Sequence, residues 1–466
     1  MKKLLSKIGG FSLGPLVGAM IGLITVPVIT RYISPDEYGR ASMFTLAQGL
    51  LSMLVYMGMD QAYAREYAVG KGRENRLVVN AMVMPMGISV AMAAVIIVLR
   101  GWVSQILFDS PDEQLAVCLM AVMFPFMVVE HFALMKVRME EKGLQYSLFS
   151  ISLKVFTLAL SIGLLFFFEK SFRSVVYATA LAEIFNGTAL FFVAFRRVTF
   201  SAQSLDRKVL GQMLRYGLPL VPASLLSWLL SSTDKVMLRT MCDYSELGLY
   251  SAAFKIVSIL SIVQTCFTTL WVPIAYRWYE SGKKDEHFGL VMKLLAALMS
   301  GMCFGVLLCK DILAWILGES FAQAIAIFPF LMLYPIMYTM SETTTLGIAF
   351  SRRTGYNVLI SMLSGAVNIG LNFWLIPIFG GKGAAMATGI SYIIFFWART
   401  MISRRLWWKF PVWFYVLDTV LILINSIMHT FMTGILPYVV SLISVVLVLT
   451  GVLPLVKKAV SVLRSA

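Results

Sequence analysis

Residues 77–99 read LVVNAMVMPMGISVAMAAVIIVL, 23 residues without one charged side chain. A helix rises 1.5 Å per residue, so this stretch is long enough to cross the ~30 Å hydrocarbon core of a bilayer. Outward from it, apolar runs of similar length recur at 10–33, 41–63, 114–136, 148–168, 173–195, 215–241, 248–276, 288–310, 323–350, 356–379, 383–402, 411–429 and 434–456. Together these make fourteen, and the weak breaks at 380–382 and 430–433 leave room for a count of twelve or thirteen. Hydrocarbon offers the backbone no hydrogen-bond partners, so each run is expected to be a helix. Strands of a membrane barrel would be shorter and would alternate in polarity. The expected fold is therefore an all-α polytopic membrane protein with about 14 transmembrane helices.

Composition agrees. Of the 466 residues, 59% are hydrophobic and only 14% charged, where a soluble chain carries about 25% charge. Mean hydropathy is +0.82. Secreted, cytoplasmic and disordered classes are excluded. No loop exceeds about 20 residues, which leaves no room for a folded domain outside the bilayer. The start, MKKLLSK before an apolar run, resembles a signal peptide. No A-x-A site follows and the run continues to about Ile33, so an uncleaved first span is expected.

Net charge is +15. In a soluble protein that balance would suggest nucleic acid. Here 27 of the 39 Lys and Arg fall in the loops on the same side as both termini, 8 in the alternate loops, and Lys154, Lys235, Lys255 and Lys293 inside spans. Basic loops stay in the cytoplasm, which places both termini there and removes nucleic acid as a partner. The sequence lacks G-x-x-x-x-G-K-[ST], G-x-S-x-G and H-E-x-x-H. His131, His287 and His429 are scattered, as are Cys118, Cys242, Cys266, Cys303 and Cys309, with no CxxC. No enzymatic activity, cofactor or metal is expected.

The two halves echo each other. Ser34-Pro35-Asp36-Glu37-Tyr38-Gly39-Arg40-Ala41-Ser42 follows the first span, and Asp243-Tyr244-Ser245-Glu246-Leu247-Gly248-Leu249-Tyr250-Ser251 follows the seventh. Both contain E-x-G-x-x-S, 209 residues apart. Two halves of six spans each would run in the same direction, a parallel repeat. The leading span of each half carries helix breakers: Gly14, Pro15, Gly18, Gly22 and Pro27 in the first, Gly217, Pro219 and Pro222 in the seventh. Interrupted helices at matching places point to a transport site.

An intramembrane charge costs at least ~2.5–3.5 kcal/mol and requires a partner or a wet cavity. Lys235 shares a helical face with Ser231, Trp228 and Ser224. Similar stripes join Ser147, Ser150, Lys154, Thr157 and Ser161, and Ser251, Lys255 and Ser258. Span eleven aligns Asn357, Ser361, Ser364, Asn368 and Asn372. Such stripes either glue helices together or line a hydrated cavity, and helix packing has no need of an ammonium. Lysine binds phosphate as a point charge, so the lysine stripes suit an anionic, sugar-bearing solute. Among the acidic residues inside spans, Asp234, Glu183 and Glu342 are candidates for H+ or Na+ coupling. Asp234 neighbours Lys235 but points about 100° away round the helix.

Four segments carry a family resemblance: Arg31-Tyr32-Ile33-Ser34-Pro35-Asp36-Glu37-Tyr38-Gly39; Gly58-Met59-Asp60-Gln61-Ala62 with Arg65-Glu66-Tyr67; Asp234-Lys235-Val236-Met237-Leu238 with Glu246-Leu247-Gly248-Leu249-Tyr250-Ser251-Ala252-Ala253-Phe254-Lys255; and Gly383-Ala384-Ala385-Met386-Ala387-Thr388-Gly389-Ile390-Ser391-Tyr392. In this order and spacing the chain resembles the polysaccharide-biosynthesis flippases, the Wzx-type O-antigen and capsule transporters of the multidrug/oligosaccharidyl-lipid/polysaccharide (MOP) superfamily. Arg31 stands where the family pattern has leucine. The resemblance implies two pseudo-symmetric six-helix bundles, 1–200 and 201–402, around a central cavity, with two additional C-terminal helices in 403–466. It implies a bacterial inner-membrane flippase that moves undecaprenyl-pyrophosphate-linked oligosaccharide (an O-antigen, capsule or exopolysaccharide repeat unit) by alternating access. Its partners would be that substrate, membrane lipids, and the polysaccharide polymerase and glycosyltransferases that share it. Lys154, Lys235 and Lys255 would meet the anionic head group, and Ser224, Trp228 and Ser231 the sugar or phosphate. Two rivals stand beside this reading. A MATE-like drug/cation antiporter would want a carboxylate-rich cavity. A membrane-embedded polysaccharide polymerase or acyltransferase would bring a large periplasmic loop or a His/Asp motif.

Overall fold

The computed structural model describes residues 2–69, 74–282 and 285–464. The basic loop positions Lys71, Arg73, Lys283 and Lys284 lie outside the described residues. Among the described residues there are helices and no strands. By packing, the chain parts into two units, Met1–Ser232 and Thr233–Ala466.

The first unit contains α1 (Lys2–Thr30), α2 (Pro35–Tyr56), α3 (Met59–Val69), α4 (Glu74–Val98), α5 (Arg100–Phe108), α6 (Gln114–Met139), α7 (Gly143–Phe167), α8 (Phe172–Ala194) and α9 (Arg207–Gly217). A 3-10 turn, Leu218–Leu220, leads into α10 (Val221–Met241), which ends in the second unit. There follow α11 (Tyr244–Val257), α12 (Leu260–Glu280), α13 (Asp285–Leu308), α14 (Lys310–Leu317), a 3-10 segment (Glu319–Ala326), α15 (Phe328–Leu331), α16 (Leu333–Thr344), α17 (Leu346–Phe350), α18 (Gly355–Phe379), α19 (Gly381–Leu406), α20 (Trp413–Phe431) and α21 (Leu436–Arg464). Twelve of the described helical segments are long and apolar enough to cross a membrane, or fourteen when two bent pairs count as one span each. The expected all-α polytopic fold is what is found.

The repeated E-x-G-x-x-S segments have a structural reason. Ser34 N-caps α2 and Asp243 N-caps α11, each accepting from the backbone N–H of the repeat glutamate. The glutamates then reach to equivalent places. Glu37 accepts from the backbone N–H of Phe172 at the start of α8, and Glu246 from that of Gly381 at the start of α19, at 2.6 Å. Both partners lie 135 residues further along the chain. A carboxylate at a helix N-terminus satisfies donors the helix itself cannot and complements its dipole. The repeat is thus a matched tie between the second and sixth spans of each half.

The interruptions differ in form. In the seventh span, Gly217, Pro219 and Pro222 divide the helix into α9, the 3-10 turn and α10. In the first, α1 stays continuous, but Ser147 of α7 enters its ladder. The Ser147 hydroxyl donates to Gly10 O at 2.5 Å and accepts from Gly14 N–H at 2.7 Å, bridging one turn of the helix. Ser147, foremost in the fifth-span stripe, is therefore helix-joining.

The second span bends by 47° between α2 and α3. Met57 (φ 49°) and Gly58 (φ 67°) are both left-handed there. A Cβ on Gly58 would stand 2.5 Å from Gly217 O. Gly58→Ala therefore combines a disfavoured backbone, ~1–2 kcal/mol, with a clash against main chain. A lowered thermal midpoint and reduced membrane abundance are expected, measured by fluorescence-detected size exclusion.

Charge at the α6–α7 turn is locally balanced. Burial pushes the Glu140 carboxyl up, but Lys136 and Lys142, each at 2.6 Å, hold it below the ordinary carboxylate range.

Candidate functional site

In the second unit, α10, α11, α18 and α19 converge on one carboxylate. Asp234 Oδ1 accepts from Asn372 Nδ2 at 2.6 Å and Asn368 Nδ2 at 3.1 Å, and Oδ2 from Tyr250 Oη at 2.6 Å and from the Thr388 hydroxyl. Asn372 also donates to Asn368 Oδ1 at 3.1 Å, while its own Oδ1 is buried without a partner. Four neutral donors thus surround one carboxyl group, the condition under which burying such a group is tolerable. Asp234 does not bond Lys235, as their angular separation on the helix implied.

Lys235 turns the other way. Its ammonium lies 5.1 Å from the centre of the Phe254 ring, a cation–π distance. It is within electrostatic reach of both Lys255 and Asp234. Lys255, one residue after Phe254, is exposed on the surface of its unit. From Phe254 a run of half-buried rings continues, through Tyr334 at 6.3 Å and an interplanar angle of 5° to Tyr392 at 4.7 Å. Tyr392, Phe395 and Tyr338 follow, and Arg399 lies over the last two rings, 4.4 Å from Phe395 and 5.4 Å from Tyr338. Two lysines at one end of an aromatic run and a guanidinium at the other can bind phosphate and stack against the apolar faces of sugar rings.

Arg399 and Glu342 form a pair at 3.0 Å, with Arg399 also donating to Ser341 Oγ at 3.0 Å. Their side chains are 11% and 10% exposed. Arg399, near the end of the apolar run 383–402, lies inside α19, where Glu342 balances it. Lys310 likewise lies buried at the start of α14, donating to the His429 carbonyl at 3.4 Å. Residues near the end of an apolar run can belong to either water or protein, and only a partner elsewhere in the chain decides.

In the first unit, Lys154 on α7 runs past Gly18 of α1, its Cγ 3.9 Å from where a Cβ would stand. It acts electrostatically on Glu130 of α6 and Glu183 of α8. Glu183 accepts from Gln48 Nε2 of α2 at 3.2 Å. Trp228 sets its indole Nε1 3.3 Å from the Cβ position of Gly49. Ser231 donates back to Trp228 O at 2.9 Å, and Ser224 is half-buried. The structure therefore brings together Lys235, Lys255 and Asp234 in one unit and Lys154 with Glu183 in the other. Glu342 is occupied by Arg399.

Tyr334, Tyr338 and Arg399 escaped the sequence reading as site residues, and Tyr392 entered it only as the end of the fourth family segment. Tyr334 and Tyr338 are four residues apart on α16, and Tyr392 and Arg399 seven apart on α19. Each pair shares a helical face, but aromatic stripes are so common in membrane helices that spacing alone does not single them out. In the span-eleven stripe, Ser364 donates to Ser391 O at 2.8 Å and joins α18 to α19, while Asn368 and Asn372 serve Asp234.

Residues 4–278 match the family described as "Polysaccharide biosynthesis protein". The chain belongs to that family. A relative in Escherichia coli (strain K12), named lipid III flippase, is 22% identical over 397 residues, spanning 82% of this chain and 93% of its own. Among solved structures, a lipid II flippase MurJ in an inward closed conformation matches 94% of this chain and 96% of its own, with a TM-score of 0.65 at 14% identity. An inward-facing multidrug resistance MATE family transporter of the MOP superfamily matches 83% of this chain and 94% of its own, with a TM-score of 0.66 at 12% identity. The polysaccharide biosynthesis family member described here is thus a multi-pass membrane protein that shares the fold of these two solved structures.

Proposed function

We propose that this protein is a flippase for a lipid-linked oligosaccharide, carrying an undecaprenyl-pyrophosphate-linked repeat unit across the bacterial cytoplasmic membrane by alternating access. The observation that carries the reading is the pairing of intramembrane Lys235 and Lys255 with the run of rings from Phe254 to Tyr338, in a chain of the polysaccharide biosynthesis family. The lysines, with Lys154, neutralise the pyrophosphate. Ser224, Trp228 and Ser231 meet sugar or phosphate. Both termini face the cytoplasm, and the chain divides into two six-helix halves, 1–200 and 201–402, with two further helices in 403–466. The name lipid III flippase, borne by a relative across most of the chain, supports a lipid-linked substrate and a transport role without covalent chemistry.

For coupling, Asp234 and Glu183 are stronger candidates than Glu342, whose charge Arg399 already neutralises. Rotation of the Asn368 and Asn372 amides would turn oxygens toward Asp234, a hard-oxygen set suited to Na+.

Reconstitution in vesicles with a labelled lipid-linked repeat unit tests the function. The expected result is movement of intact substrate between leaflets. A covalently altered product would favour the polymerase or acyltransferase reading. Restored drug resistance in an efflux-deficient strain, without lipid movement, would favour the antiporter.

A further inference from the structure

One face of α12 is polar, buried and unbonded. Ser261, Gln264, Thr268 and Trp271 follow one another at intervals of three, four and three residues, which places them within about 80° of the helix circumference at 3.6 residues per turn. Ala275 extends the same face and is buried, whereas Cys266, Thr269 and Leu270, further round the helix, are exposed. The buried face packs against α16 and α17. Ser261 Oγ, Gln264 Oε1, Thr268 Oγ1 and Trp271 Nε1 are all buried there, and none has a hydrogen-bond partner. Thr345, at the junction of α16 and α17, is in the same condition. The bonds these helices do make stay local: Thr265 and Thr269 donate to carbonyls of α12, and Thr339 and Thr343 to carbonyls of α16.

Polar residues at a contact between membrane helices ordinarily join the helices, as Ser364 joins α18 to α19. The α12 row joins nothing. Nor is there room for water, because no water-sized space adjoins the four atoms. Unpaired buried groups at a helix contact are a cost to the fold, and sequences keep such costs at functional places. The chemistry of the row is uncharged. Its hydroxyls donate and accept, its amide oxygen accepts, and its indole N–H donates. That set complements the hydroxyl groups of a sugar and offers no cation to a pyrophosphate. The helix it faces carries Tyr334 and Tyr338 of the aromatic run.

α12 is also jointed to its neighbour. α11 ends at Val257 and α12 starts at Leu260. Across that break Ile259, Ser261 and Ile262 donate only three residues back, to Ile256 O and Ser258 O at 3.1 Å and to Ile259 O at 3.0 Å. A tighter turn of this kind inside a span marks a hinge. Pro273 interrupts the ladder again within α12.

We propose that Ser261, Gln264, Thr268 and Trp271 form a sugar-binding face, covered by α16 in this structure and uncovered when α12 swings about Ser258 and Ile259. The hydroxyls of the glycan then supply the partners that the row lacks, so binding favours the conformation in which α12 has left α16. The inference rests on the reading of the protein as a flippase for a lipid-linked oligosaccharide.

The double variant Gln264→Met, Thr268→Val keeps side-chain volume and removes two of the polar atoms. Since those atoms have no partners in the fold, its thermal midpoint is expected to stay level or rise by about 2 °C. Binding by the purified full-length protein is then measured with two probes, a labelled undecaprenyl-pyrophosphate repeat unit and undecaprenyl pyrophosphate without sugar. The wild type is expected to bind the glycosylated lipid more tightly, and the variant to lose about tenfold in affinity for it while binding the sugar-free lipid as the wild type does. Should the double variant fail to fold, Thr268→Val alone, which exchanges a hydroxyl for a methyl, carries the same measurements. A midpoint lowered by Thr268→Val shows that the hydroxyl has a partner in the fold and overturns the proposal. Wild-type affinity of the variant for the glycosylated lipid also overturns it, as does equal wild-type affinity for the two lipids, and both results leave the head-group reading standing. A wild type that binds neither lipid overturns the flippase reading itself, and the sugar-binding face falls with it.

Discussion

Lys235→Ala is expected to reduce translocation about 10- to 100-fold while leaving the protein in the membrane at wild-type abundance. A hydrogen bond to a charged group contributes about 1.5–3 kcal/mol, and each ~1.4 kcal/mol is tenfold in affinity. Removing Lys235 from its place over Phe254 takes that contact from a pyrophosphate and should also relax the crowding with Lys255. Because Lys235 is in no ion pair with Asp234, truncation leaves no newly orphaned carboxylate, so the fold should survive. Lys235→Arg keeps the charge but exchanges a point charge for a planar fork, and an intermediate rate is expected. The measurement is surface polysaccharide in a strain lacking its own flippase, normalised to membrane-localised protein. Full activity in a variant with Lys154, Lys235 and Lys255 all changed to alanine would remove the head-group assignment.

Asp234→Ala is expected to act on the fold. It would strand Tyr250, Asn368, Asn372 and Thr388, four donors that converge on one carboxylate. An unsatisfied buried polar group costs about 1–3 kcal/mol, although hydrogen bonds between membrane helices average nearer ~0.6 kcal/mol because the displaced groups find other partners. For four donors the membrane figure sets a floor of roughly 2 kcal/mol, and the figure for unsatisfied buried groups raises it to about 4 kcal/mol or more. The expected signs are a large fall in the thermal midpoint and loss from the membrane. Asp234→Asn separates fold from charge. Its Oδ1 can still accept from the two asparagines, and the Tyr250 and Thr388 hydroxyls can rotate to accept from the new amide. It should retain the fold and abolish any Na+ dependence of transport. Sodium dependence intact in Asp234→Asn would exclude Asp234 as the coupling group, and an unchanged midpoint in Asp234→Ala would contradict its role as the tie between α10, α11, α18 and α19.

The spans were legible in the sequence because the solvent is severe. In hydrocarbon every peptide group must find its partner within its own helix, so an uncharged run such as 77–99 has one structural outcome whatever its neighbours are. The repeat was legible too, through Glu37 and Glu246, because a glutamate that caps a distant helix constrains its own local motif. The polar residues were visible as a set, since each intramembrane charge stands out against an apolar background. Their partners were not. Asn368 and Asn372 looked like one stripe among several until Asp234 was seen between them. Arg399, near the end of the run 383–402, had no visible partner until Glu342 was found beside it. Gln48 and Glu183, 135 residues apart in the chain, meet only because α2 packs on α8.

The amino-acid sequence thus determined that this chain crosses a membrane many times, in two related halves, with cations held inside the bilayer. Tertiary structure alone decided which carboxylate answers which cation, and which oxygen is left without a donor. The reason is range. Hydrophobic insertion and helix formation are settled within about 20 residues, whereas an ion pair or a buried hydrogen bond depends on a few ångströms between groups that the chain separates by dozens of positions.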